Sequence, residues 1–147
     1  MDHAGLQKST KEAVSAELKL SDDPCETAAG VVRRTLAAAL QAPLSATARE
    51  LIVEDAVKGA LAALFFADQD LTRGALLVVQ ASLDASAAWI DPAQAMGAAL
   101  KGAADLLRFA APTRLDEICS QIDARYMGAG DAFAEILRAP IHRTGLP

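Results

Sequence analysis

Residues 91–110, DPAQAMGAALKGAADLLRFA, carry the pattern that decides the fold. Asp91 is a residue type that caps helix starts, and Pro92 suits the first helical position, where a missing N–H is no loss. Beyond them Met96, Leu100, Ala103, Leu107 and Ala110 recur at intervals of three and four, with Lys101, Asp105 and Arg108 on the opposite side. That period belongs to an amphipathic helix and not to a strand.

The same punctuation extends upstream. Asp23-Pro24-Cys25-Glu26 opens a helix that runs to about Gln41 on Val32, Leu36 and Ala39 or Leu40, and Pro43 stops it. Ser45 caps a second helix to about Ala67, with Val53, Val57, Leu61 and Leu64 turned inward. Its later half, Gly59 to Ala67, holds no charge and needs neighbours on most sides. Asp68 or Asp70 caps a third, from about Leu71 to Ile90, on Leu76, Val79, Leu83, Ala87 and Ile90.

Downstream, Thr113 caps a final helix on Leu115, Cys119, Ile122, Tyr126, Ala129, Phe133 and Ile136. The register does not slip across Gly128 and Gly130, which favours one continuous helix over a break there. The fold class expected is all-α: a helical bundle of four main helices plus an extra N-terminal helix. The bundle spans residues 24–139. Before it, residues 1–23 contain a capping box, Ser9-Thr10-Lys11-Glu12, but the apolar stripe that follows is thin, so a frayed or flexible segment is expected. Residues 140–147 read as an irregular tail.

One internal echo stands out. Val57-Lys58-Gly59-Ala60 with Leu64 and Phe66 matches Leu100-Lys101-Gly102-Ala103 with Leu107 and Phe109, and Thr-Arg follows each time, at Thr72-Arg73 and Thr113-Arg114. Two related helical hairpins would give a four-helix bundle with a pseudo-twofold axis, each glycine marking a close helix crossing.

Composition agrees with close crossings. Hydrophobic residues make up 52% of the 147 and aromatics only 4%, so much of the apolar content is Ala and helix contacts should be built from small side chains. The net charge of −5 opposes a general nucleic-acid surface, which needs clustered Lys and Arg. The longest uncharged stretch, Thr35 to Ala48, is too short to span a bilayer, and no signal core follows a basic start, so a cytoplasmic protein with two reduced cysteines is expected. No helix carries the Lys/Arg-rich polar face of a membrane-surface anchor.

Chemistry-bearing motifs are sparse. His3 and His142 sit near the ends, and no paired Glu-x-x-His or Cys-x-x-Cys occurs, so neither a metal nor a cofactor is implied. Cys119 lies on an apolar stripe and reads as a small core residue, whereas Cys25 stands at a helix start, where a thiol pKa can fall. Glu50, Glu54 and Asp55 form the densest carboxylate group; Lys58, four residues after Glu54, makes an exposed salt bridge on a solvated face the simpler reading.

The site candidates are Arg73, Gln80 and Asp84, a polar line on an otherwise apolar helix, with Trp89 and Tyr126 as walls. If the line faces water it is merely the helix's outer side; if it is buried, Asp84 needs a cation or a ligand. Two functions follow. The first is a non-enzymatic interaction or assembly protein, self-associating or bound to a helical partner through Ala-rich faces. The alternative is a small-molecule-binding domain or small enzyme with a pocket between helices around Asp84.

Overall fold

The computed structural model describes residues 3–139, and within them every regular element is a helix. In chain order these are α1 (His3–Leu18), α2 (Pro24–Ala39), α3 (Ala46–Phe66), α4 (Leu71–Ser86), α5 (Pro92–Leu107), α6 (Pro112–Arg125) and α7 (Ala129–Arg138). The expected tail at 140–147 lies outside the described residues, as does His142.

Capping explains most of the starts. Asp23 accepts a hydrogen bond from the Glu26 N–H, Ser45 from Ala48, Asp70 from Thr72 and Arg73, and Asp91 from Ala93. The expected cap at Thr113 is corrected: the cap position falls two residues earlier, at Ala111, where no side chain bonds back, and Pro112 opens α6. Proline, with φ preset for a helix, stands in for the cap.

The continuous final helix is also corrected. The chain breaks after Arg125, and Gly128, at φ 88°, turns it into α7. Asp123 accepts hydrogen bonds from the Gly128 and Gly130 N–H groups, which satisfies donors exposed by the turn. Gly130 then lets α7 fold back on α6, since a Cβ there would lie 2.5 Å from the Cys119 carbonyl. Register was preserved because both helices bury the same apolar side.

Named contacts fix how the helices run. Gly59 of α3 lies on Gln7, Thr10 and Lys11 of α1, while Ser15 and Leu18 share a groove with Ala63 and Phe66; residue numbers rise together, so α1 and α3 are parallel. Gly102 lies on Glu54, and Lys58 pairs with Asp105, so α3 and α5 are parallel too. Asp23–Arg73 and Arg33–Asp84 align α2 with α4 in the same way, and Arg114–Thr72 and Arg125–Gln80 align α4 with α6. The odd-numbered helices form one layer and the even-numbered helices the other, and the main packing is between helices one or two places apart in the chain.

The echoed helices are therefore neighbours, and their glycines do mark crossings. Gly59 and Lys11 are 48 residues apart, as are Gly102 and Glu54, so one packing step is used twice in the same direction. A two-fold axis would have made α3 and α5 face each other through equivalent residues; the step here is heterologous, as in stacked helical hairpins.

The core matches the composition. Ala28, Ala56, Ala60, Ala75, Ala99 and Ala103 are buried among Val32, Leu36, Ile52, Leu61, Leu64, Leu100 and Ile118. Much of the alanine is thus placed inside the chain, while Ala37, Ala38, Ala87 and Ala88 stay exposed. At the N-terminus, where a frayed or flexible stretch was expected, α1 docks through the buried Thr10 and Val14, with Leu6 and Leu18 packed beside them. A thin stripe suffices because Gly59 brings the two backbones together, and the Thr10 hydroxyl satisfies itself on the Leu6 carbonyl.

Two glycines of α5 separate packing from propensity. A Cβ at Gly102 would overlap the Glu54 carbonyl, whereas one at Gly97 meets nothing within 4 Å. Gly102→Val is expected to cost about 2–3 kcal/mol in urea unfolding, and Gly97→Ala to gain about 0.5–1 kcal/mol. Equal effects at the two positions would contradict the close crossing.

Candidate functional site

The polar line of α4 faces water and joins helices within the even layer. Arg73 holds Asp23, the cap of α2, with two hydrogen bonds, of 2.5 and 2.9 Å. Asp84 is 57% exposed and lies 3.7 Å from Arg33 of α2, and the Gln80 carbonyl accepts from Arg125 of α6. Each of the three polar residues therefore tethers α4 to a neighbour. The Arg73 guanidinium holds the Asp23 carboxyl below the usual carboxylate range, and that carboxylate keeps Arg73 charged.

Trp89 and Tyr126 do not meet this line as walls of one pocket. The Trp89 ring stacks beneath the Arg49 guanidinium, 5.0 Å from its centre, while Arg49 donates to the Leu40 and Ala42 carbonyls at the end of α2. Tyr126 instead lines an apolar recess of about 230 Å³ with Leu83, Ala87, Ile90, Pro92 and Met96. Burial pushes its hydroxyl pKa up, helped slightly by Asp84. Asp84 is not part of the recess lining.

The odd layer holds a second polar arrangement, which corrects the solvated-face reading of the carboxylate group. Lys58 pairs across to Asp105 of α5 at 3.7 Å in place of Glu54, and Arg108 approaches the same carboxylate at 3.6 Å, all three side chains being largely buried. The close crossing at Gly102 brings Glu54 into this network. Burial pushes the Glu54 pKa up, and the carboxylates of Asp105 and Asp55 push the same way against Lys101 and Lys58. A shallow cleft of about 220 Å³ opens beside it between Glu50, Leu51, Gln94 and Lys101. The spacing of Glu54 and Lys58 could not reveal a partner on another helix.

The thiols behave as core groups. Cys25 is buried, with Sγ 3.4 Å from the Asp70 carbonyl, and burial raises its pKa despite the helix start beside it. Cys119 is raised by burial as well. Among the described residues no cluster of His, Cys, Asp and Glu is arranged to hold a metal ion, and no helix is long and apolar enough to cross a membrane.

What sequence reasoning missed is an aromatic edge. Parallel packing puts the C-terminal ends of α1, α3 and α5 along one border of the odd layer. Leu20, just past α1, is 92% exposed; Phe66 at the end of α3 is 70% exposed; and Phe109, just past α5, is 77% exposed. Phe65 adds an edge-on contact to Phe66, with ring centres 5.5 Å apart. The echo itself was the available signal, because Phe66 and Phe109 occupy its matching places. Comparison with protein-family models, curated proteins and solved structures finds no match to this chain.

Two expectations follow. Asp84→Asn should change unfolding stability by less than about 0.5 kcal/mol, while Asp23→Ala, which removes a cap and an ion pair together, should lower the melting temperature clearly more. Glu54→Gln should raise stability at neutral pH. Because the folded-state pKa of Glu54 lies above its unfolded value, ionisation penalises the fold, and the gain should fade as pH drops through that raised pKa toward the ordinary carboxylate value. A gain that persists unchanged at low pH would refute the desolvation account.

Proposed function

We propose that the chain is a non-enzymatic helical interaction and assembly protein that binds other helices, a second copy of itself included, along the aromatic edge. One observation carries this reading: of four phenylalanines only Phe133 is in the core, and the other three stand at the ends of the odd-layer helices. Scattered exposed apolar residues are ordinary on a protein surface, but rings recurring at one structural position along a border are what a docking surface requires.

Magnitudes set the expected strength. Leu20 is 92% exposed and the three rings 43–77%, so covering what remains, at about 1.5–3 kcal/mol per fully exposed side chain, is worth about 4–8 kcal/mol. Association costs an estimated 4–15 kcal/mol, so the balance fits a modest, concentration-dependent assembly and not a permanent one. The alternative, a small-molecule pocket built on Asp84, draws no support from this geometry, since that carboxylate stands in solvent on Arg33.

Sedimentation velocity is expected to show reversible self-association at micromolar concentration and above. The double variant Phe66→Asp, Phe109→Asp should leave the helical circular-dichroism spectrum and the melting temperature nearly unchanged while shifting the protein to monomer. A double variant that associates as well as its parent would remove the edge from the account, and a monomeric parent protein would remove self-association, leaving the edge to other helices.

A further inference from the structure

We infer that the part of this edge formed by α1 and α3 takes an acidic amphipathic helix, a partner whose carboxylates meet three lysines while its apolar side covers Phe66. The inference rests on the interaction reading above and names the chemistry of the occupant.

The surface has two connected parts. One is a groove between α1 and α3 with Leu18, Ala63, Phe66 and Ala67 in its lining. The other runs along α1 between Lys8, Lys11 and Lys19, and Ser15 and Lys19 belong to both. Lys8, Lys11 and Ser15 fall on one side of α1 at the spacing of three and four that a helix needs to present them together, and Lys19, just past its end, continues the line. The floor is small, because Ser15, Ala63 and Ala67 leave room for a helix to approach closely. Lys11 already stands over the Phe66 ring, its Nζ 4.4 Å from the ring centre, so the cation and the apolar anchor form one target.

Charge selects the partner. The chain as a whole carries −5, yet the residues lining these two parts include three lysines and one carboxylate, Glu12. None of the three lysines forms an ion pair among the described residues, whereas the arginines at 33, 34, 73 and 114 each have a carboxylate partner. A local reversal of sign beside an exposed ring matches a helix that is acidic on one side and apolar on the other, the mode in which a groove reads anchors along a single helix face. Three charges at the rim affect selectivity more than total affinity, so a neutral helix of the same apolar pattern binds more weakly, by about tenfold at low salt.

The test uses the full chain and three synthetic helical peptides that share one Leu/Phe face and carry Glu, Gln or Lys on the other. Fluorescence anisotropy is expected to rank them Glu, then Gln, then Lys, with the difference collapsing at high salt. The triple variant Lys8→Gln, Lys11→Gln, Lys19→Gln should abolish the preference while leaving binding of the Gln peptide intact. Phe66→Ser should weaken the Glu and Gln peptides alike. Equal binding of all three peptides, or a preference that survives the triple variant, overturns the charge assignment; if that binding still depends on Phe66, the interaction reading stands without it. Lysine-dependent binding to phosphatidylserine vesicles with no binding of the Glu peptide overturns it in favour of a membrane surface. No peptide binding from a chain that is also monomeric sinks both readings.

Discussion

The structure depends on places where backbones meet with no side chain between them, and two of these set the odd layer. Gly59 lies on α1 and Gly102 lies on α3, and in each case a Cβ would collide with a carbonyl of the next helix. Close axes leave little volume to fill, so alanine is large enough for most of the inner contacts. That accounts for a core with a single phenylalanine, Phe133, and for the rings that lie outside it. Small residues inside and aromatic residues outside are two sides of one steric constraint.

Helix existence was legible because it is written locally. Asp23, Ser45, Asp70 and Asp91 each cap a helix start, and the recurrence of Met96, Leu100 and Ala103 gave α5 without reference to anything distant. Arrangement was less accessible. The echo of Val57-Lys58-Gly59 in Leu100-Lys101-Gly102 pointed correctly to glycine crossings, but a repeated segment is compatible with both a two-fold and a stacking step. Only contacts across helices separate them. The break at Gly128 was hidden for a related reason: α6 and α7 keep one apolar register through the turn, so periodicity passes over it, while the positive φ of Gly128 and the Asp123 carboxylate that holds the turn are features of backbone conformation.

Charged residues illustrate the same limit. Arg73, Gln80 and Asp84 were visible as a line, and their outward orientation is what most polar stripes have. Their partners on α2 and α6 come from 45 to 51 residues away in sequence, at distances no spacing rule addresses. Lys58 makes the point from the other direction. Its nearby sequence partner is Glu54, yet the crossing at Gly102 supplies Asp105, and the displaced Glu54 is left in a partly buried place where its negative charge is a burden.

Among the described residues the main packing joins helices one or two positions apart in the chain, so most contacts are between near neighbours in sequence. Loop-closure entropy is then met in short instalments, and assembly can begin at any hairpin and spread outward, so folding should be rapid for this length. The corollary concerns the terminal units. Helix α1 rests on α2 and α3, and α7 on α5 and α6, so either can detach while the interior units remain closed, and both should open before the interior in native-state hydrogen exchange.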